Sequence, residues 1–347
     1  MTRALKFLYL TLATAALLPA AATVLQDRCF AATRPNPPAA DQSKKVPKPH
    51  QVHARGGPVA QSKTALVALG TAPFPYDGMV GTSDRRFLDI EFEGRLGHST
   101  HSGRILWADE KFNDNRVLLH IPKGFDARKP GLIVVYFHGH GATLERDVLQ
   151  RQRVPDQVTG SGANVVLVAP QFAVDAADSS VGKFWKPGAF AQFLGETAKE
   201  FAKMHGDKRS VRAFASMPVV FVAYSGGYAP AAWCATQGGL KKRLRGVVLL
   251  DALYGEMDKF VAWIQGDRSA FFVSAFLGST QDNNVSLERI LSERNVAYST
   301  DLGPQLQKGS ISIIQGGYNV SHRDLVTHAW VDYPIRDLLL RLKGYMR

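Results

Sequence analysis

The chain has 347 residues, 45% of them hydrophobic, with 42 Lys and Arg against 30 Asp and Glu, a formal charge of +12. That apolar content suits one large buried core and excludes a disordered chain, and two cysteines exclude a disulfide framework. The positive charge comes without a basic helix or an RNA-binding signature, so nucleic acid is not the expected partner.

In chain order, Arg3 and Lys6 precede an apolar run from Phe7 to Ala22 that is followed by small residues. This is the pattern of a secretory signal peptide, too short for a membrane span and without a second such stretch behind it. Cleavage is expected after Ala22 or Ala31; the later site is preferred, making 1–31 the signal peptide and leaving a charge of about +10. The mature protein is then exported to a periplasm or the exterior, without a transmembrane segment. Its charge either serves solubility or draws it to an anionic cell-envelope surface. Residues 32–65, rich in Pro, Lys, Gln and Ala, read as a flexible linker, and 66–347 as the globular domain.

Within that domain short apolar runs end in turn residues: Arg116 to Pro122, Gly131 to Gly139, Asn164 to Pro170, Val219 to Ser225, Gly246 to Asp251, Ala270 to Gly278 and Ser310 to Gly317. Near-continuous apolarity rich in Val and Ile predicts strands buried on both faces of a parallel sheet. Helical patterns alternate with them, several closed by Gly: "GAFAQFLGETAKEFAKMHG", "APAAWCATQGG", "MDKFVAWIQG", "SLERILSER" and "VDYPIRDLLLRLKG". The alternation predicts an α/β fold, a mostly parallel central sheet with helices on both faces, and a site at the strands' carboxyl ends. Cys234, in one of these apolar helices, reads as a small buried hydrophobe.

In "VVFVAYSGGYAPAAWCA" (Val219 to Ala235) a serine stands where a strand turns into a helix, flanked by Ala223, Gly226 and Gly227. Small residues two before and two after let such a turn hold a hydroxyl up at the sheet edge, which makes Ser225 a candidate nucleophile; a helix-capping serine is the alternative. A serine nucleophile needs a base, an orienting acid and an anion site. The Gly226 N–H, just past the serine, is one expected donor, and Gly139 or His140 of "YFHGHGA" is the other. A metal reading of His138 and His140 fails because Ala142 stands where the metallo-hydrolase pattern needs Asp; no metal and no cofactor is expected. His322, in a short loop after the last strand, is the expected base, and His328 is placed in the final helical pattern. The acid is Asp251, fixed at a strand tip, or Asp282, in the turn after the next strand. Tyr224, Trp185, Tyr254 and Asp175 are candidate substrate contacts, the last from "VDAADSSVGKFWKPGAF", which should cross the same sheet edge.

Taken together, "FHGHGA", "AYSGGY" and "NVSHRD" resemble the oxyanion loop, nucleophile elbow and histidine loop of the α/β-hydrolase superfamily, over Arg116 to Lys343. "RVLLHIPKGFD…GLIVVYFHG" is similar to exported bacterial serine esterases and polyester depolymerases. The departure is Ala223 where the elbow has Gly. In that family Asp282 would occupy the more usual acid strand. The resemblance implies a serine esterase acting through an acyl-enzyme on a small-molecule or polymeric ester. An amidase or peptidase acting on envelope material, and a non-catalytic envelope-binding protein on the same fold, are the alternatives.

Overall fold

The structure, a computed structural model, describes residues 57–100, 102–317 and 319–347. The expected signal peptide and most of the expected linker lie outside them.

Eight strands form one twisted sheet: β1 (Lys63–Ala68), β5 (Arg116–Ile121), β6 (Leu132–Phe137), β7 (Val165–Pro170), β8 (Val219–Tyr224), β9 (Leu244–Leu250), β10 (Phe271–Phe276) and β11 (Ile311–Gln315). Their spatial order is β1-β5-β7-β6-β8-β9-β10-β11. β5 runs antiparallel to both neighbours and the remaining pairs are parallel. All seven apolar runs become strands of this sheet. β1 begins at Lys63, and Val59 is already buried with its N–H on the Phe125 carbonyl, so the folded chain starts inside the segment read as linker. Its strand was hidden because β1 is half-exposed at the sheet edge and lacks the apolar run of the inner strands.

Side chains alternate across the sheet. Ile133, Val135 and Phe137 of β6 enter one core and Leu132, Val134 and Tyr136 the other, as the two-residue strand period requires. The first core is covered by α3 (Ala189–His205), α5 (Tyr228–Gln237), α6 (Met257–Gly266) and α7 (Gln281–Glu293), which contribute Phe190, Phe193, Ala231, Phe260 and Leu287. The second is covered by a π-helix (Leu144–Arg151), α2 (Val154–Gly160) and α8 (Pro334–Leu340). Cys234 is wholly buried in the first core. Among the described residues no helix is long and apolar enough to cross a membrane.

A second, three-stranded antiparallel sheet, β2 (Ile90–Phe92), β3 (Arg95–Ser99) and β4 (Ile105–Trp107), is inserted in the chain between β1 and β5 of the main sheet and leads into a short α1 (Ala108–Lys111). Phe87, fully buried, packs against Phe74, Tyr76, Phe112, Trp185 and the ring of His98, and this aromatic cluster fastens the small sheet to the body. Nothing in the sequence reading anticipated this sheet.

Candidate active site

Parallel strands deliver their carboxyl ends to one edge, and register decides which residues meet there. Tyr224 of β8 pairs with Leu250 of β9, so the residues that follow, Ser225 and Asp251, emerge side by side. Both leave their strands with positive φ, 52° and 43°, a backbone region that costs a non-glycine residue about 1–3 kcal/mol and persists where the surroundings enforce it. Ser225 opens a 3₁₀ turn that runs straight into α5.

The close approach of two loops explains the glycines. A Cβ on Gly226 would lie 2.2 Å from His140 Cδ2, and one on Gly139 would lie 2.8 Å from Ser225 Cβ. Among the described residues the N–H groups of Gly139 and His140 have no main-chain acceptor.

His322 sits in the loop after β11 and bridges the pair. Its Nδ1 is 2.6 Å from Asp251 Oδ2 and its Nε2 is 2.9 Å from Ser225 Oγ. Asp251 is fully buried, and it accepts from the Leu277 N–H at 3.1 Å and from the hydroxyls of Ser279 and Thr280. Burial alone would raise its pKa. The hydrogen bonds from His322, Ser279, Thr280 and Leu277 outweigh burial and hold the carboxyl below its ordinary value. Asp282 is exposed in the first turn of α7 and accepts no bond from His322; its helix-start position explains why it is acidic.

Tyr224 does not line the cavity described below. It is buried, its ring stacks on His322 at 5.1 Å, and its hydroxyl, with a pKa pushed up to about 12 by burial, donates to the His322 carbonyl at 3.0 Å. The strand alternation that puts Ser225 at the edge turns Tyr224 onto the opposite face. Tyr254 is exposed, its ring set edge-on to that of His322 with centroids 6.2 Å apart. Asp175 is exposed and pairs with Arg146 at 3.1 Å, outside the cavity described below, because the chain has already turned away at that point. His328 lies in an exposed turn ahead of α8, whose start Pro334 fixes.

His138 organises the oxyanion-side loop. Its Nε2 accepts from the Phe172 N–H at 2.9 Å and from Gln171 Nε2 at 3.0 Å, which leaves Nδ1 to donate to the Gly139 carbonyl at 2.9 Å. Burial lowers its pKa to about 4, so the ring is a neutral strut at physiological pH.

A cavity of about 470 Å³ opens beside the oxyanion-side loop, which contributes His140 to its wall. Trp185 and Asp178, of the segment expected to cross this edge, line it with His140, together with residues the sequence did not single out: Tyr228, Trp233 and, from the small antiparallel sheet and its approach, Arg85 and His98. His98 Nε2 stands 3.6 Å from Asp178. His140 Nε2 is 2.6 Å from Ser179 Oγ. No single periodicity marks these residues, since Tyr228 and Trp233 come from α5, His98 from β3 and the others from loops.

The strand order, the reversed β5 and the placement of these loops define an α/β-hydrolase fold. No protein-family model matches the chain, and no curated protein matches it. Among solved structures it is similar to a feruloyl esterase module from Clostridium thermocellum, at 11% identity and a TM-score of 0.44, covering 84% of this chain and 98% of that one. It is similar too to an S-formylglutathione hydrolase from Agrobacterium tumefaciens (11% identity, TM-score 0.37, 69% and 93% covered). A poly(3-hydroxybutyrate) depolymerase from Bordetella parapertussis is a third (10% identity, TM-score 0.33, 69% and 88% covered).

Proposed function

We propose that this chain is a serine hydrolase of carboxylic esters, with Ser225 as nucleophile, His322 as general base and acid, and Asp251 as the orienting carboxylate. The observation that carries this is the hydrogen-bonded line from Asp251 through His322 to Ser225. Ionised Asp251 accepts the Nδ1–H and so leaves the Nε2 lone pair facing the serine hydroxyl. As Oγ bonds to the ester carbonyl carbon, the hydroxyl proton passes to Nε2 and the carbonyl π pair moves to oxygen. The Gly226 N–H and that of Gly139 or His140 stabilise this oxyanion. Collapse breaks the bond to the alcohol oxygen, which takes the proton from Nε2, and water then repeats the cycle on the acyl-enzyme while Asp251 stays ionised.

The charged and hydroxyl side chains in the mixed wall of the cavity, Arg85, Asp178, Ser179 and Glu256 among them, favour a polar small-molecule or polymeric ester over an emulsified fat. Export after removal of residues 1–31 belongs to the same proposal, and the N-terminal sequence of protein recovered from the envelope or medium tests it.

Purified protein should hydrolyse a short-chain p-nitrophenyl ester and take up a fluorophosphonate probe. Ser225→Ala should lower kcat by about a thousandfold or more and abolish labelling. Wild-type protein that neither turns over such esters nor takes up the probe would overturn the proposal.

A further inference from the structure

A second cavity, of about 460 Å³, lies at the opposite edge of the sheet, where the strands begin. Arg245 at the start of β9, Ser269 and Phe271 at the start of β10, and Gln305 to Lys308 ahead of β11 form three sides; Leu342, Lys343 and Tyr345, after α8, form the fourth. Its volume falls within the roughly 300–1,000 Å³ of small-molecule sites. It plays no part in the proposed ester chemistry, because the parallel strands carry their catalytic loops at the other end.

Two properties of the lining point to one kind of ligand. Three side chains are cationic, Arg245, Lys308 and Lys343, and no lining residue is acidic. Among the described residues none of the three is paired with a carboxylate, although Arg95, Arg116, Arg146 and Arg341 elsewhere all are. Arg245 makes only a 3.4 Å contact to Ser269 Oγ. Beside Ser269, Gln305 and Gln307 the wall has an apolar side: Phe271 is buried, and Leu306, Leu342 and Tyr345 line the cavity with it. Cations left without counter-charges around an apolar recess complement a molecule with an anionic head and an apolar chain.

We propose that this cavity binds a single anionic amphiphile, its chain against Phe271 and Leu306 and its head group among Arg245, Lys308 and Lys343. A neutral amphiphile lacks the charge and inorganic phosphate lacks the chain, so each alone should bind more weakly.

The test is calorimetric titration of the intact protein with octyl phosphate below its micelle concentration, beside octyl glucoside and inorganic phosphate. Octyl phosphate should bind with one site and more tightly than either control. The triple variant Arg245→Gln, Lys308→Gln, Lys343→Gln should weaken it by roughly tenfold or more. A triple variant at the exposed Lys129, Lys199 and Lys208, which removes the same charge elsewhere, should bind as wild type. Both variants should keep the ester turnover of the parent, which shows them folded. Equal binding of octyl glucoside, or equal loss in both triple variants, overturns the proposal.

Discussion

Asp251 and Asp282 both follow buried strands, and residue type alone does not separate them. The backbone does. Asp251 leaves β9 with positive φ, which swings its carboxylate into the sheet edge beside Ser225, whereas the chain at Asp282 has already entered α7. The preference for Asp251 rested on its place at a strand tip, and that is the physical feature that matters; the left-handed turn was not legible. Tyr224 and Asp175 stand outside the cavity for a related reason, since proximity in sequence to a site does not tell which face a side chain takes. Asp251→Asn should lower kcat by about a thousand- to ten-thousandfold, because an amide favours the wrong imidazole tautomer, while Asp282→Asn should leave turnover within about twofold. Steady-state kinetics of the two variants on one ester decide this. Equal loss in both would overturn the assignment of the acid.

Among elements, the inner strands were legible because burial on both faces forces an uninterrupted apolar run, and their helices because each has one apolar face. The strands β2, β3 and β4 were not. They are three to five residues long and bury only Gly97, His98 and Leu106, so their stability comes from the cluster around Phe87 rather than from any repeat in their own sequence. That dependence is measurable. Phe87→Ala removes a fully buried ring, a change that costs about 3–5 kcal/mol. If the cluster chiefly seats the cavity wall, KM for the ester should rise at least severalfold while labelling of Ser225 by a small fluorophosphonate stays near the wild-type rate. Loss of labelling together with KM would mean that the cluster supports the whole body.

Across the whole molecule, two buried histidines tie stability to pH. His138 beside the oxyanion-side loop and His120 on β5, held between Thr64 and Thr159, both have pKa values lowered to about 4 by burial. An unfolded histidine titrates near ~6.5. Below that value the unfolded chain takes up protons that the folded chain refuses, so stability is complete above about pH 6.5 and falls as pH drops toward 4. The loss should be about 2 kcal/mol per histidine by pH 5, read as a lower urea midpoint, and His120→Gln should shrink the difference between pH 7 and pH 5. One further property follows from where the cavity wall is encoded. Arg85 and His98 come from a stretch that ends before the first strand bearing a catalytic loop, while Ser225, Asp251 and His322 all come after it. A single genetic crossover between those stretches would exchange that one side of the cavity wall and leave Ser225, Asp251 and His322 untouched, so descendants of this chain could vary that side without altering the hydrogen-bonded line.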